Sequence, residues 1–485
     1  MTRRRAAPAA AWTTPALLAL VATRVASGHP EAPLLILLAV AAPLVALLRA
    51  RAPAVRNAAT RASVIVVVAL IVCANVIVFA DLASLLGGAR WHGAVLAAAL
   101  TLLATMWPAA DRRRALVLAI GVTGVITLVA AAAVAGGRTP WSAWNDVASR
   151  AALAFPARGA EARFTRDTTL EFTEVHDLVA LQAGALRVTE QHGTHTIVRE
   201  WLVRDGDVLT LRPGDRLFVT AGARLRFEGG KRVPGAPASG VHWADAAGGD
   251  QARAVAAGLG LAMTLFGGAA TLVPPWRRVR GAAAGAPLVC GWAAMCCGVY
   301  AVAMSPGLVL ADVSAAALFG VTRTLPRGAA VAVTVVGGAG LLVLLVCAAQ
   351  SLRVRLMETA GASAPATWTV IFALAAAGAI WPVDASHVLT TALGLGACAV
   401  AAPLVAAGDH DHGGLSPAAV GSLAGALVFG ALTALAVRLP EWAGVGDYPA
   451  LLAAPAAWMA AVTARRLSAR RAGDTARSPC ATSGR

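Results

Sequence analysis

The chain has 485 residues, 58% of them hydrophobic and 14% charged, with a mean hydropathy of +0.69. A soluble globular protein runs at roughly 45–50% apolar and about 25% charged, so the excess cannot be hidden in one water-soluble core, and disordered, fibrous, collagen-like and small disulfide-rich classes are excluded as well. The formal charge of +16 is not spread as on a nucleic-acid-binding face: between Arg138 and Asp250 fourteen basic residues balance fourteen acidic ones, and the excess sits in short loops between apolar runs.

Apolar runs occur at 11–27, 33–48, 63–86, 92–107 and 115–135, and again at 253–275, 283–304, 328–350, 367–381, 386–407, 415–437 and 449–464. They predict a polytopic α-helical membrane protein with about twelve transmembrane helices. The opening MTRRR and its apolar stretch are read as a first span rather than a signal peptide, because Arg24 interrupts the stretch and no small-x-small cleavage site follows. Arginine placement then sets the orientation. Arg3–Arg5, Arg49, Arg51, Arg56, Arg61, Arg112–Arg114, Arg277, Arg278, Arg280, Arg353, Arg355 and the tail from Arg465 gather on one side, expected to be the cytoplasmic face of a bacterial inner membrane. This holds both termini inside and requires the apolar stretch 306–322, which contains Asp312, to be re-entrant rather than spanning.

The expected domains are an N-terminal membrane domain over 1–137, an extracytoplasmic all-β domain over 138–250, a C-terminal membrane domain over 251–464 and a basic, disordered cytoplasmic tail over 465–485. The β domain opens with a helical approach, PWSAWNDVASRAALAF, whose Trp141 and Trp144 suit a membrane interface. From Thr168 the pattern takes a period of two, with Leu170 and Phe172, Leu186 and Val188, then Ile197, Trp201 and Val203. Four octads follow over 204–235: RDGDVLTL, RPGDRLFV, TAGARLRF and EGGKRVPG. Gly206, Gly214, Gly222 and Gly230 recur at intervals of eight, which suits short strands joined by turns whose glycines take positive φ. The expected form is an antiparallel meander within a sandwich or barrel of about seven strands. DGDVLTLRPGDRLFV has the turn and strand cadence of cupin-like barrels, but Ala223 and Arg224 stand where metal-binding histidines would be needed, so no family is assigned.

Candidate chemistry is sparse. Cys73, Cys290, Cys296, Cys297, Cys347 and Cys398 lie in apolar runs, Cys480 in the tail and none in 138–250, so the β domain has no disulfides. His192 and His195, with His176 upstream, read as a hairpin loop rather than a zinc site, and Asp409–His412 as a solvated connector. No metal and no cofactor is expected. Ionisable residues near membrane depth are functional candidates by default, and Asp312, Asp384 and His387 are placed on one outward side, where they would line a transport path. The second candidate is a row of cations on the octads, Arg212, Arg216, Arg224, Arg226, Lys231 and Arg232, which would contact an acidic partner or lipid head groups unless it is simply a solvated strand face.

The primary reading is a non-catalytic membrane component that anchors the β domain for binding a partner protein or envelope component. Its partners would be the lipid bilayer and a membrane or envelope protein complex, with no nucleic acid. A secondary transporter or channel is the alternative. A polytopic transferase using Glu31 or Glu441 on a lipid-linked substrate ranks third.

Overall fold

The computed structural model describes residues 14–28, 32–48, 57–106, 111–164, 167–192, 195–220, 222–236, 240, 243, 251–272, 282–304, 317–381, 383–407, 416–438 and 448–476. Each of the twelve apolar runs coincides with a helix: α1 Pro15–Ala26, α2 Ala32–Leu48, α3 Ala58–Leu85, α4 Arg90–Met106 and α5 Asp111–Gly136 before the β domain, with a short α6, Pro140–Ala148, leading into it. After it come α7 Gln251–Leu272, α8 Ala282–Met304, α9 Arg327–Ala360, α10 Ala364–Gly378, α11 Ala385–Gly396, α12 Ala402–Ala407, α13 Pro417–Arg438 and α14 Ala450–Ala476. A π-helical turn over Ala397–Ala401 joins α11 to α12, so these share one apolar run. Among the described residues, eight helices are long and apolar enough to cross a membrane.

Two expectations change at the edges. Helix α1 has 12 residues, about 18 Å of rise, shorter than a hydrocarbon core of about 30 Å. Its first turn is capped inside the protein: Thr14 Oγ1 accepts from Leu17 N at 3.2 Å, and Asn75 Oδ1, two-thirds along α3, accepts from Ala16 N at 2.9 Å. The chain beyond residue 464, expected to be disordered, continues as helix to Ala476. The stretch 306–322 lies outside the described residues up to 316; from Gly320 to Thr324 the chain is a 3-10 turn ahead of α9.

Helices can pack in a bilayer only through close surface contact, because lipid tails compete equally for apolar side chains. Small residues supply that contact. On α5 and α9 the glycines meet face to face: a Cβ at Gly340 would lie 2.8 Å from Gly124 Cα, and one at Gly337 would lie 2.6 Å from Leu128. These contacts run the two helices antiparallel, which brings the start of α5, with Arg112–Arg114, to the level of Arg353 near the end of α9.

The β domain is an eight-stranded jelly roll. Its strands are β1 Ala160–Arg163, β2 Thr168–Glu171, β3 His176–Ala180, β4 Gly184–His192, β5 His195–Val203, β6 Val208–Leu211, β7 Arg216–Val219 and β8 Arg224–Phe227. They form two antiparallel sheets, ordered β1-β8-β3-β6 and β2-β7-β4-β5. One register runs through four ladders. Ala160 pairs with Phe227, Thr168 with Val219, His176 with Leu211 and His192 with His195, every pair summing to 387. The domain is therefore one long hairpin, folded at its tip between β4 and β5 and wound so that within each half successive strands alternate between the sheets.

This corrects the meander. The octad strands β6, β7 and β8 do not pair with one another; each pairs with a strand from the first half. The physical reason is that both halves keep the same eight-residue spacing of core positions. Leu170, Leu178 and Leu186 face Leu209, Leu217 and Leu225 in a single apolar core, and a flat meander would leave one of these sets in water. The corner glycines do take positive φ, from 78° to 95° at Gly206, Gly214, Gly222 and Gly230. All four donate to the facing segment, Gly206 N to Ala180 O at 2.8 Å, Gly214 N to Phe172 O and Gly222 N to Phe164 O at 2.7 Å, and Gly230 N to Phe155 O at 3.1 Å.

Candidate functional site

The β domain is tied to the helices by a stalk of two crossing segments. Going out, Thr139 caps α6 through its Oγ1, 3.1 Å from Ser142 N. Asp146 on α6 holds Arg138 at 3.0 Å and Arg150 at 2.6 Å, and the Arg150 hydrogen bond keeps its carboxyl below the usual carboxylate range. Coming back, Val233 N donates to Leu153 O and Gly240 N to Arg150 O, both at 2.8 Å. A side chain at Gly240 would collide with the Val147 carbonyl. Trp144 packs on Trp243 with centroids 4.8 Å apart. The stalk rests on the end of α8, where Tyr300 donates its hydroxyl to Arg138 O at 2.8 Å and Arg150 reaches Ala303 O at 3.5 Å. The outgoing segment thus bonds to the bundle, and the returning segment is bonded to the outgoing one, so the β domain is attached through a braced pair of segments rather than a single strand of chain.

The opposite end of the bundle is marked by arginines with a shared task. Arg353 donates to Thr105 O, Arg355 Nε to Thr271 O at 3.2 Å, and Arg465 to Ala406 O at 3.4 Å. Each acceptor is the penultimate residue of another helix, α4, α7 or α12, where carbonyls lack intrahelical partners and the helix dipole is negative. The sequence marks these arginines only as orientation signals. Their capping role depends on which helix ends lie beside them, which spacing within one helix does not reveal.

The jelly-roll interior is filled. Phe164, Phe172, Phe227, Leu178 and Leu217 are all buried, and among the described residues no group of three metal-ligating side chains comes together. His176 is enclosed at the edge of this core, 1% exposed, edge-on to Phe172 with centroids 5.1 Å apart. Burial pushes its imidazole below the ordinary pKa of 6.5; Glu174, 3.7 Å from Nε2, pulls the other way, and Lys231 adds to the lowering. His192 and His195 close the β4–β5 hairpin as a cross-strand pair.

The octad cations do not form one row, because consecutive octads lie on different sheets. Arg224 and Arg226 share the outer face of the β1-β8-β3-β6 sheet with Arg163. There both reach Glu161, at 3.7 and 2.6 Å. Arg216 is on the other sheet, 3.5 Å from Glu171. Arg212 sits in the β6–β7 corner with its N–H held by Asp215 at 2.8 Å. Lys231 and Arg232 belong to the stalk: Lys231 stands 4.0 Å from Glu228, and the Arg232 guanidinium donates to Ala236 O at 2.9 Å. Of the membrane candidates, Asp384 is the N-cap of α11, accepting from Ser386 N at 3.0 Å, and His387 is exposed on its first turn. Asp312, Glu31, Glu441 and Asp409–His412 lie outside the described residues.

A buried ion pair that the sequence reading leaves unpaired joins α3 to α4. Asp81 binds Arg90 across the intervening turn, and Arg90 also donates to Trp381 O at 3.3 Å. The signal was the nine-residue spacing across a glycine-containing turn, which brings two facing interface positions together. No family model, curated protein or solved structure matches this chain.

Proposed function

We propose that this protein is a non-catalytic integral membrane component that presents its jelly roll, on the side of a bacterial inner membrane away from the cytoplasm, to a partner protein or envelope component. The observation that carries the reading is the stalk: two segments are hydrogen-bonded to each other, and the outgoing one is also bonded to the end of α8, which braces the β domain against the bundle. A fixed mount serves presentation, whereas a filled, apolar jelly-roll interior leaves no room for a substrate there. Orientation is supported by separation along the bundle. The cap arginines gather at the end where α5 begins, and the stalk leaves from the end where α5 finishes, about 39 Å away for a helix of 26 residues. Under the positive-inside rule that arrangement favours arginines on the cytoplasmic side and the β domain outside.

The outer face of the β1-β8-β3-β6 sheet is the contact surface of this reading. It carries Arg163, Arg224 and Arg226 against Glu161 and Asp177, leaving net positive charge beside exposed Val208. An acidic partner with an apolar anchor is the complement of such a face. The test is affinity purification from native membranes with wild type and the Arg224→Glu/Arg226→Glu double variant. Exposed ion pairs contribute only about 0–1 kcal/mol to stability, so the double variant is expected to fold and to lose the stoichiometric partner. Equal recovery from both removes this surface. An engineered Arg216→Cys thiol that reacts with an impermeant maleimide only after lysis removes the orientation as well.

A further inference from the structure

The geometry points to a binding site for one acyl chain of an anionic phospholipid, in a lateral cleft between α7, the π-turn and α14 with Arg465 at its end. The cleft encloses about 500 Å³ and is lined by Met263, Phe266 and Ala270 of α7, Ala401 and Val405 of the α11–α12 run, and Trp458 of α14, with no charged side chain on its wall. That volume falls within the range of ligand pockets. A dry apolar cleft of this size in a bilayer is filled by whatever apolar chain the surrounding solvent supplies, and that solvent is lipid.

The cleft is shaped by local departures from regular helix. The π-turn at Ala397–Ala401 adds a residue to the turn and pushes the backbone toward α7, where Gly267 meets Ala397 so closely that no side chain fits between them. Beyond that contact the helices part, and Pro455, inside α14, lines the gap. Single π-turns within α-helices concentrate at functional sites. The mouth opens sideways, since Met263, Val405 and Trp458 are each between a third and a half exposed.

A head-group contact follows from helical spacing. Arg465 is seven residues, two turns, beyond Trp458 on the same stripe of α14. Its guanidinium is held beside the cleft by the Ala406 carbonyl, next to Val405 of the lining. One of its five N–H groups makes that bond, which leaves donors for a phosphate. Continuation of α14 through Arg465, Arg466 and Arg470 is what carries positive charge to this end. A zwitterionic lipid fills the cleft and offers the same phosphate, but its ammonium offsets the attraction of Arg465, Arg466 and Arg470, which a net negative head group keeps in full. The complement of both is a glycerophospholipid with a net negative head group.

The full-length protein in nanodiscs of equal phosphatidylcholine and phosphatidylglycerol, with a trace of phosphatidylglycerol bearing a diazirine on its acyl chain, tests this directly. Photolysis is expected to label peptides containing Met263, Phe266 or Trp458. The filling variants Ala401→Phe and Val405→Trp should each lower that label at least fivefold while the wild-type thermal unfolding profile is kept by at least one of them. Arg465→Glu should lower the ratio of phosphatidylglycerol to phosphatidylcholine retained after detergent washing, read by native mass spectrometry, by about fivefold or more. Label spread evenly over all lipid-facing helices, or unchanged by both filling variants, overturns the site. A retained-lipid ratio that ignores Arg465→Glu overturns the anionic head group, and protection of the cleft by a co-purifying polypeptide overturns lipid as its occupant.

Discussion

Arg355 donates from Nε to the Thr271 carbonyl at 3.2 Å, one helix capping the C-terminus of another. The side chain is 7% exposed, so the bond is formed away from bulk water and the charge sits where the α7 dipole is negative. A hydrogen bond to a charged group contributes about 1.5–3 kcal/mol. Arg355→Met keeps much of the volume and removes both donor and charge. It is expected to lower the free energy of unfolding in mixed micelles by that amount, with no change in the β domain. A loss below 0.5 kcal/mol, roughly the scatter of neutral surface changes, would show that the carbonyl finds another donor and the cap is incidental.

Asp81 and Arg90 make the reciprocal case, a pair whose members are each costly without the other. Asp81→Leu alone leaves a largely buried guanidinium with Trp381 O as its remaining acceptor, and breaking a buried pair typically costs about 3–5 kcal/mol. Replacing both, Asp81→Leu with Arg90→Met, removes the need for pairing and should recover most of the loss. Unfolding of the two variants side by side decides the matter: equal destabilisation of the single and double variants would mean that the pair supports the α3–α4 turn rather than merely cancelling charge.

The glycines between α5 and α9 answer a steric demand. A Cβ at Gly124 would lie 2.7 Å from Gly340 Cα, and neither backbone can move without carrying its helix along. Gly340→Ala is expected to cost about 1–3 kcal/mol as an overpacked contact. Gly328, in open space at the start of the same helix, is the control, because alanine there should be neutral or gain up to about 1 kcal/mol of helix propensity. Equal effects at the two positions would make propensity, not close approach, the reason for Gly340.

These three contacts show where the sequence is legible and where it is not. Composition and hydropathy locate each of the long apolar helices among the described residues, since each apolar run is its own signal. Pairing is different: Gly340 needs Gly124 across the bundle, and Arg355 needs a carbonyl 84 residues away. The octads illustrate the same limit within the β domain. Gly206, Gly214 and Gly222 announce corners, but the matching spacing of Leu170, Leu178 and Leu186 in the first half has no glycine repeat at that interval and is overlooked, so the strands are assigned to neighbours in sequence rather than to partners at a constant sum. The arginine row fails for the same reason, since a sequence-adjacent octad is on the opposite sheet. Of the candidate cations, Arg224 and Arg226 share one sheet face; Glu161, which both reach, lies 63 residues or more upstream, beyond what local spacing reveals.

His176 makes the β domain sensitive to acid. Its imidazole is enclosed by Phe155 and Phe172, with Glu174, Glu228 and Lys231 as the charged groups near it and the Arg232 backbone beside it, and burial lowers its pKa from 6.5. Below about pH 6.5 the unfolded chain takes up a proton that the folded one refuses, so stability is full above that pH and declines as pH falls through the lower, folded pKa. Hydrogen-exchange protection factors for β3 and β6 amides are expected to fall between pH 7.5 and pH 5 in the wild type and to stay level in His176→Leu. A parallel decline in both would assign the acid sensitivity to the carboxylates of the sheet faces.

The corner glycines allow backbone strain to be separated from crowding. At Gly206 φ is 89°, yet a Cβ there would meet nothing within 4 Å. Gly184, at the start of β4, has equally open space but an ordinary backbone. Alanine at Gly206 therefore pays only for the left-handed conformation, about 1–2 kcal/mol, while alanine at Gly184 should be neutral or stabilise by up to about 1 kcal/mol by restricting the unfolded chain. Protection of β5 and β6 amides in the intact protein measures both. If Gly184→Ala proves as damaging as Gly206→Ala, the corner conformation is not what the octad glycines supply, and the eight-residue spacing must be explained by the core leucines alone.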